Sequence, residues 1–243
     1  MKHGAKKLIV GQLVGQLALL AAIPVLTRLL PVAEMGWYQV AFSIATILQP
    51  VATLRRELLI PFCSDEAVAK HRTTGFVAAS ILVGLLTIAG VISTIVGFAG
   101  VGSVLISTGF VLASFALIYI ENAILIRRAR QTRLAARNLI GGLACAGLQI
   151  VIATIVPSAI AVAVALLAGR AIATLVTAYR QPAVESPREA ESGAREGQRT
   201  FSAIASATIA TASSQALVVL SAVVLGPVAS AQIAVGQRIA GAP

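Results

Sequence analysis

Three charged side chains lie inside long apolar stretches of the sequence, and they are the residues whose chemistry is least expected there. Arg28 stands near the end of the first apolar run, Glu121 in the fourth and Arg170 in the sixth. A charge inside a hydrocarbon environment is expensive, so it usually faces a polar interior, pairs with an opposite charge or marks the path of a substrate. We therefore treat these three residues as candidates for a substrate path.

Each of the three charges has a structural and a functional interpretation. Arg28 either extends its long side chain to the membrane interface or binds a phosphate group with its planar, five-donor guanidinium. Glu121 and Arg170 either neutralise each other and pin two helices together, or Arg170 binds an anionic substrate. Both interpretations place Arg170 toward the interior of a helix bundle.

Uncharged polar residues inside the apolar runs extend the candidate path. Gln12 and Gln16 are four residues apart and share one face of a helix, while Gly11 and Gly15 share the neighbouring stripe. The glycine pair is typical of a close contact between helices, whereas the glutamines either line a polar cavity or hydrogen-bond to another helix. The remaining candidates are Gln49, Gln149 and Gln215, accompanied by Asn122, Ser213 and Ser214.

These polar residues do not form the pattern of a catalytic or metal site. Asp65 is the only aspartate, so the Asp-x-Asp pair of a metal-dependent glycosyltransferase cannot form. His3 and His71 lie at separate predicted helix ends, and the sequence has no Gly-rich Lys-Ser/Thr nucleotide loop. Cys63 and Cys145 are too few for a disulfide framework or a Cys-x-x-Cys metal site. We expect no enzymatic activity, no cofactor and no bound metal.

Composition determines the elements that position these residues. Hydrophobic residues make up 58% of the 243 positions and charged residues only 12%, whereas about 25% charged residues is typical of soluble domains. Backbone polar groups must be paired in lipid, and a helix needs about 20 apolar residues to cross the bilayer core. The sequence therefore predicts an all-α, polytopic helical membrane bundle. The seven predicted spans are 8–30, 37–54, 75–98, 101–126, 139–156, 158–176 and 201–225.

The net charge of +10 indicates membrane topology and not nucleic-acid binding, because the basic residues lie in short clusters between apolar runs. Sixteen of the 19 Lys and Arg residues fall at the N-terminus and in alternate loops, within 55–72, 127–137 and 180–199. Basic loops are retained on the cytoplasmic side. We therefore expect a cytoplasmic N-terminus, and we place Trp37 and Tyr38 at the outer interface.

A polar stretch divides the chain into unequal parts. Residues 179–200 mix Pro and Gly with four Glu and four Arg, which is typical of a solvated linker. We assign 1–178 to an N-terminal six-helix lobe, 179–200 to a cytoplasmic linker and 201–243 to the start of a second lobe, with span seven and part of span eight.

A short motif indicates that the second lobe repeats the first. Leu29-x-Pro31-Val32-Ala33, at the end of span one, recurs as Leu225-x-Pro227-Val228-Ala229 at the end of span seven. Parallel repeats of this kind are a recurring transporter architecture. A complete second lobe would need as many spans as the first, so we expect this chain to be truncated or partial.

Three stretches resemble the polysaccharide biosynthesis flippases of the multidrug/oligosaccharidyl-lipid/polysaccharide exporter superfamily. The segment from Leu26 to Tyr38 (LTRLLPVAEMGWY) is similar to the stretch that joins the first two helices of that family. The segment 52–61 (ATLRRELLIP) looks like the loop after helix two, and 236–243 (GQRIAGAP) looks like part of helix eight. The resemblance covers nearly the whole chain, which departs from the family in its length.

The resemblance implies two six-helix lobes around a central cavity that opens alternately to each side. The implied cargo is an undecaprenyl-diphosphate-linked oligosaccharide, the repeat unit of a polysaccharide or O-antigen, carried outward across the bacterial inner membrane. The implied partners are the lipid bilayer, this lipid-linked oligosaccharide and the polysaccharide polymerase machinery, with no nucleic acid.

Two alternatives stay open. A cation-coupled drug or small-molecule exporter of the same superfamily would need a membrane carboxylate that takes up and releases a cation, for which Glu121 is the sole candidate. Intramembrane arginines instead favour an anionic substrate. The second alternative is an inactive fragment.

Overall fold

The helices of the bundle follow one another with short connections. The computed structural model describes residues 2–178 and 196–240, and the chain is all-α there. The helices are α1 (Lys2–Leu29), α2 (Val32–Ala52), α3 (Arg56–Leu59), α4 (Asp65–Ile95), α5 (Ala99–Arg127), α6 (Gln131–Ile155), α7 (Ala159–Ala178), α8 (Glu196–Leu225) and α9 (Pro227–Ala240).

Within the described ranges, six helices are long and apolar enough to cross a membrane: α1, α4, α5, α6, α7 and α8. Long apolar side chains cover their outer faces, for example Ile81, Leu85 and Ile88 on α4. A surface of this kind is stable only against lipid or a large apolar partner. The predicted fold class, a polytopic helical membrane bundle, is confirmed.

The second predicted span does not meet this criterion, so the part of the chain that the structure describes has six such helices and not seven. α2 is long enough, with 21 residues, but Glu34, Gln39 and Gln49 lower its hydropathy. Its position explains why it tolerates them. α2 packs against α5, α7, α8 and α9, and the Gln39 side chain is only 1% exposed. A helix enclosed by other helices does not need an apolar face on every side.

Helix junctions collect at two opposite ends of the bundle. At the end that carries Arg55, Arg72 and Arg127, which we call the basic end, Arg127 forms an ion pair of 2.5 Å with Asp65 at the start of α4. At the opposite end, Glu34 at the start of α2 accepts a hydrogen bond of 2.8 Å from the backbone N–H of Ala159, the first residue of α7. Which side of the membrane each end faces stays a prediction.

α1 packs closely against α6 through glycines, as Gly11 and Gly15 predicted. A Cβ atom added at Gly11 would lie 2.6 Å from the carbonyl oxygen of Ala135, and one added at Gly142 would overlap the backbone of Gly15. Helices approach this closely only where side chains are absent or small. The contact fixes the rotation of α1 and therefore the direction in which Gln12 and Gln16 point.

The repeated Leu-x-Pro-Val-Ala motif coincides with two similar helix junctions. The first copy contains the end of α1 at Leu29 and the start of α2, and the second contains the end of α8 at Leu225 and the start of α9 at Pro227. The second junction turns at Gly226, whose φ of +86° favours glycine. The two junctions meet, because a Cβ atom added at Gly36 would overlap Pro227.

Parts of two predicted segments lie outside the described residues. Of the predicted linker 179–200, residues 179–195 are outside, and α8 begins at Glu196, ahead of the predicted start of span seven at 201. Of the stretch 236–243 that resembles helix eight, α9 includes the residues up to Ala240, and 241–243 are outside.

Candidate substrate cavity

A cavity of about 650 Å³, which we call the main cavity, lies between α1, α2, α6, α7, α8 and α9. α1 and α2 supply most of its apolar wall, with Leu19, Leu20, Ile23, Met35 and Phe42. The polar side chains that line it come from five helices: Gln16, Tyr38, Gln39, Ser43, Gln149, Arg170, Ser214 and Gln215.

Arg170 on α7 is the one charged residue that lines the main cavity, as far as the described residues show. Its Nη1 atom donates a hydrogen bond of 3.3 Å to Ser114 Oγ on α5. Its guanidinium carbon lies 4.7 Å from the centre of the Phe115 ring, an arrangement that stabilises a cation through the ring quadrupole. These contacts hold the guanidinium in place without neutralising its charge. The prediction that Arg170 faces the bundle interior is confirmed.

Of the two interpretations of Glu121 and Arg170, the mutually neutralising pair is wrong. Glu121 Oε1 instead pairs with Arg72 Nη2 on α4 at 2.7 Å. The reason is depth: Arg170 contacts α5 at Ser114, seven residues before Glu121, and seven residues of helix span about 10 Å. Arg72 lies near the basic end, and its side chain reaches the Glu121 carboxylate at the same depth in the bundle. Sequence spacing along two separate helices does not reveal how the helices are shifted against each other.

Gln149 on α6 connects three helices at the wall of the main cavity. Its side-chain amide donates to the hydroxyl of Tyr38 on α2 at 2.7 Å and to the carbonyl of Val162 on α7 at 3.5 Å. The Tyr38 side chain is only 3% exposed, so it faces other helices and not lipid, and its place at the outer membrane interface stays a prediction. Tyr38 belongs to the cavity wall because α2 is enclosed by neighbouring helices.

The other predicted path residues do not all line the main cavity. Gln16 and Gln215 line the main cavity together with Gln149 and Arg170. Arg28 lies in the exposed last turn of α1 and is absent from the cavity lining. Gln49 donates a hydrogen bond of 3.0 Å to Glu57 on α3. Gln12 lines a second cavity.

This second cavity, of about 480 Å³, lies between α1, α3, α5, α6 and α7, nearer the basic end. Gln16, Leu19 and Arg170 line both cavities, so the two adjoin at Arg170. The second cavity differs from the main cavity in its polar residues. It is lined by two further charged residues, Glu57 and Arg137, and by the amides of Gln12, Asn122 and Asn138.

Arg137 was predicted as a loop charge, and this prediction is wrong. It lies in the second turn of α6, and its side chain is fully buried. Its Nε atom donates to Thr177 Oγ1 at 2.8 Å and its Nη1 atom to Asn122 Oδ1 at 3.4 Å. The prediction fails because α6 begins at Gln131, well before the predicted start of that span at 139. Residues 131–138 therefore belong to the helix and not to the preceding loop.

The two cavities offer hydrogen-bonding groups and positive charge, but no cluster of protein ligands for a metal. In 2–178 and 196–240, no group of three or more His, Cys, Asp or Glu residues could hold a metal ion. The arrangement is suited to binding an anionic, hydroxyl-rich molecule, since guanidinium and amide groups recognise oxyanions and hydroxyls.

Comparisons of the chain with protein-family models, with curated proteins and with solved structures find no match.

Proposed function

We propose that the protein translocates a lipid-linked oligosaccharide across a membrane by alternating access, with the polar head group in the main cavity. The observation that carries the proposal is Arg170: a guanidinium without a carboxylate partner among the described residues lines a largely apolar cavity within a membrane bundle. The resemblance to polysaccharide flippases supports an undecaprenyl-diphosphate-linked cargo and the bacterial inner membrane as its location.

The charge of the cavity supports an anionic head group. Arg170 is held by a neutral hydroxyl and an aromatic ring, so its charge is available to a ligand. A guanidinium binds phosphate through two parallel hydrogen bonds, which an ammonium cannot do. A diphosphate linkage therefore complements Arg170.

The remaining lining supports an amphipathic cargo. Gln16, Gln215 and Ser214 supply donors and acceptors for sugar hydroxyls, while Leu19, Leu20 and Ile23 on α1 form an apolar wall. The volume of about 650 Å³ lies within the range of small-molecule sites, about 300–1,000 Å³. The head group would then contact polar side chains in the cavity, and the lipid tail would contact the surrounding hydrocarbon.

The basic end is proposed to face the cytoplasm. Arg55, Arg72 and Arg127 lie at the junctions of that end, and positively charged loops are retained on the cytoplasmic side. Labelling a single cysteine introduced at Ser192 with a membrane-impermeant maleimide tests this. In intact cells we expect no labelling, and labelling there would contradict the proposed orientation.

A cation-coupled exporter is the second candidate, and one observation bears on it. Glu57 on α3 lines the second cavity, and its Oε2 atom is buried without a hydrogen-bond partner. Its Oε1 atom lies 3.7 Å from Arg55 Nη1, however, and Arg137 and Arg170 line the same cavity. This excess of positive charge disfavours a cation. Transport that depends on a sodium or proton gradient and is abolished by Glu57→Gln would favour the exporter.

The test of the main proposal is translocation of a fluorescent diphosphate-linked oligosaccharide lipid in proteoliposomes. A charge-assisted hydrogen bond contributes about 1.5–3 kcal/mol, so Arg170→Gln is expected to lower the initial rate about tenfold or more. Lys70→Gln, which removes a positive charge from an exposed position on α4, is the matched control and should retain the wild-type rate. These measurements use the complete two-lobed protein that the repeat predicts. Full transport by Arg170→Gln at equal protein level would overturn the role of Arg170, and no transport by the complete wild-type protein would overturn the proposed function.

A further inference from the structure

Arg137 is a buried charge whose hydrogen bonds all go to neutral groups. Thr177 Oγ1 and Asn122 Oδ1 accept from its Nε and Nη1 atoms, and its Nη2 atom is buried with no hydrogen-bond partner. The side chain is fully buried, yet it lines the second cavity. A buried cation without a counter-charge is strongly disfavoured, and a buried N–H without an acceptor adds to the cost.

The carboxylates near the second cavity offset the charge of Arg137 only in part. Glu121 acts on Arg137 electrostatically, but its Oε1 atom is engaged by Arg72 at 2.7 and 2.9 Å. Glu57 lines the cavity, and its Oε1 atom accepts from Gln49 and faces Arg55.

The lining of the second cavity therefore carries an excess of positive charge. Arg137 and Arg170 contribute two cations and Glu57 one carboxylate, which itself lies beside Arg55. The amides of Gln12, Asn122 and Asn138 add uncharged hydrogen-bonding groups. A guanidinium surrounded by amide donors suits an oxyanion, because charge-assisted hydrogen bonds to an oxyanion are stronger than those to neutral acceptors. The volume of about 480 Å³ is ample for such an ion.

We propose that the second cavity binds a small oxyanion of the phosphate class, with Arg137 as its charged ligand. The oxyanion gives Nη2 of Arg137 the acceptor that it lacks and offsets the buried charge of α6. It also links α6 to α1 and α5, whose residues line the same cavity. The inference does not rest on the proposed transport function, because Arg137 does not line the main cavity.

Calorimetric titration of the whole chain in phosphatidylcholine nanodiscs with inorganic phosphate, at constant ionic strength, tests the site. We expect saturable binding by the wild-type protein and binding weakened about tenfold or more by Arg137→Gln, which removes a charge-assisted donor. Arg137→Lys keeps the charge but not the fork and should be intermediate. Lys70→Gln is the control for the loss of one positive charge. Absence of saturable binding by the wild-type protein, or equal affinity in Arg137→Gln, would overturn the proposal.

A second variant keeps the test decisive if Arg137→Gln does not fold. Asn138→Asp nearly preserves shape and places a carboxylate in the lining, so it should abolish phosphate binding through repulsion. Unchanged affinity in this variant would contradict an oxyanion site. Circular dichroism and size-exclusion chromatography establish that each titrated variant is folded.

The phosphate group has two sources, a free ion or a lipid head group, and native mass spectrometry separates them. Retention of phosphatidic acid by the wild-type protein but not by Arg137→Gln would identify a lipid phosphate. Arg137-dependent binding of inorganic phosphate without lipid retention would identify a free ion. Both results support the site, and loss of translocation with intact phosphate binding would count against the main-cavity proposal alone.

Discussion

The two cavities share Arg170 but differ in the residues around it. Among the described residues, Arg170 is the one charge that lines the main cavity, beside apolar side chains and uncharged polar groups, whereas the second cavity adds Arg137, Glu57 and several amides. A lone charge beside an apolar wall suits an amphipathic molecule that enters and leaves. A dense set of charges and amides suits a compact ion that stays bound. In both proposals, the residues that surround a guanidinium select the ligand more than the guanidinium itself.

The α1–α6 contact holds both cavities together, and breaking it is expected to have the largest effect. Gly142→Leu would force a side chain into the backbone of Gly15, and overpacking at backbone contact costs about 1–3 kcal/mol or more. We expect the variant to lose most of its folded yield, measured by fluorescence-detected size exclusion.

Gly147→Leu on the same helix is the matched control, because a Cβ atom added there meets nothing within 4 Å. It should keep the wild-type yield. Normal yield and thermal stability of Gly142→Leu would show that the helices do not meet as described.

Arg170→Gln is expected to affect the main cavity more than the second, although Arg170 lines both. Transport of the diphosphate-linked lipid should fall about tenfold through the loss of a charge-assisted donor. Affinity for inorganic phosphate should fall by less, because Arg170 acts on an ion at Arg137 only at long range. Gln215→Ala alters the main cavity alone, so it should lower transport while changing phosphate affinity by less than about twofold. A loss of phosphate affinity in Gln215→Ala as large as that in Arg137→Gln would show that the cavities are not separate sites.

The Glu121–Arg72 pair has a smaller expected effect, because the Arg72 side chain is 53% exposed. Glu121→Gln should reduce stability by about 1 kcal/mol or less, since solvent screens the exposed partner. The exchange Glu121→Arg with Arg72→Glu should recover part of that loss. Recovery by an exchange of Glu121 with Arg170 instead would favour the pairing that the structure does not contain.

The sequence predicted those features that depend on one helix at a time. The apolar runs predicted the helices, and the spacing of Gly11 and Gly15 predicted a close contact, because both properties follow from helical periodicity. The depth of Arg170 within its span was sufficient to place it toward the interior. Its partner was not predictable, because the shift of α5 against α7 is set by packing among several helices.

Arg137 and Tyr38 also have surroundings that depend on several helices at once. Arg137 follows four arginines in a predicted loop and lies two residues before the predicted span. Only the start of α6 at Gln131 shows that it belongs to a helix. Tyr38 has the residue type of an interfacial aromatic, but neighbouring helices enclose α2 and bury its ring. In both cases tertiary contacts determine the surroundings of the side chain, which the pattern of an isolated span does not show.

The smallest expected effect concerns the hydrogen bond of 2.7 Å between Gln149 and Tyr38, which belongs to the main cavity only. Gln149→Leu removes the donor and leaves the Tyr38 hydroxyl in the buried wall, while Tyr38→Phe removes the other partner. Hydrogen bonds between membrane helices contribute about 0.6 kcal/mol on average and at most about 1.7. Each single variant should therefore lower the free energy of unfolding by about 0.6 kcal/mol, and the double variant should lose less than the sum.

Unfolding in mixed micelles measures the stability of the two single variants and the double variant. The coupling energy between Gln149 and Tyr38, obtained from these values, distinguishes two roles of Gln149. A coupling energy of about 0.6 kcal/mol or more, together with normal transport by Tyr38→Phe, identifies Gln149 as a residue that holds α2, α6 and α7 together. If the coupling is zero and Gln149→Leu still lowers transport, the amide acts on the cargo directly. Phosphate affinity in the second cavity should be unchanged in either case, because neither residue lines it. A change in that affinity would mean that losing the Gln149–Tyr38 hydrogen bond also alters the second cavity. The two cavities would then be one coupled site.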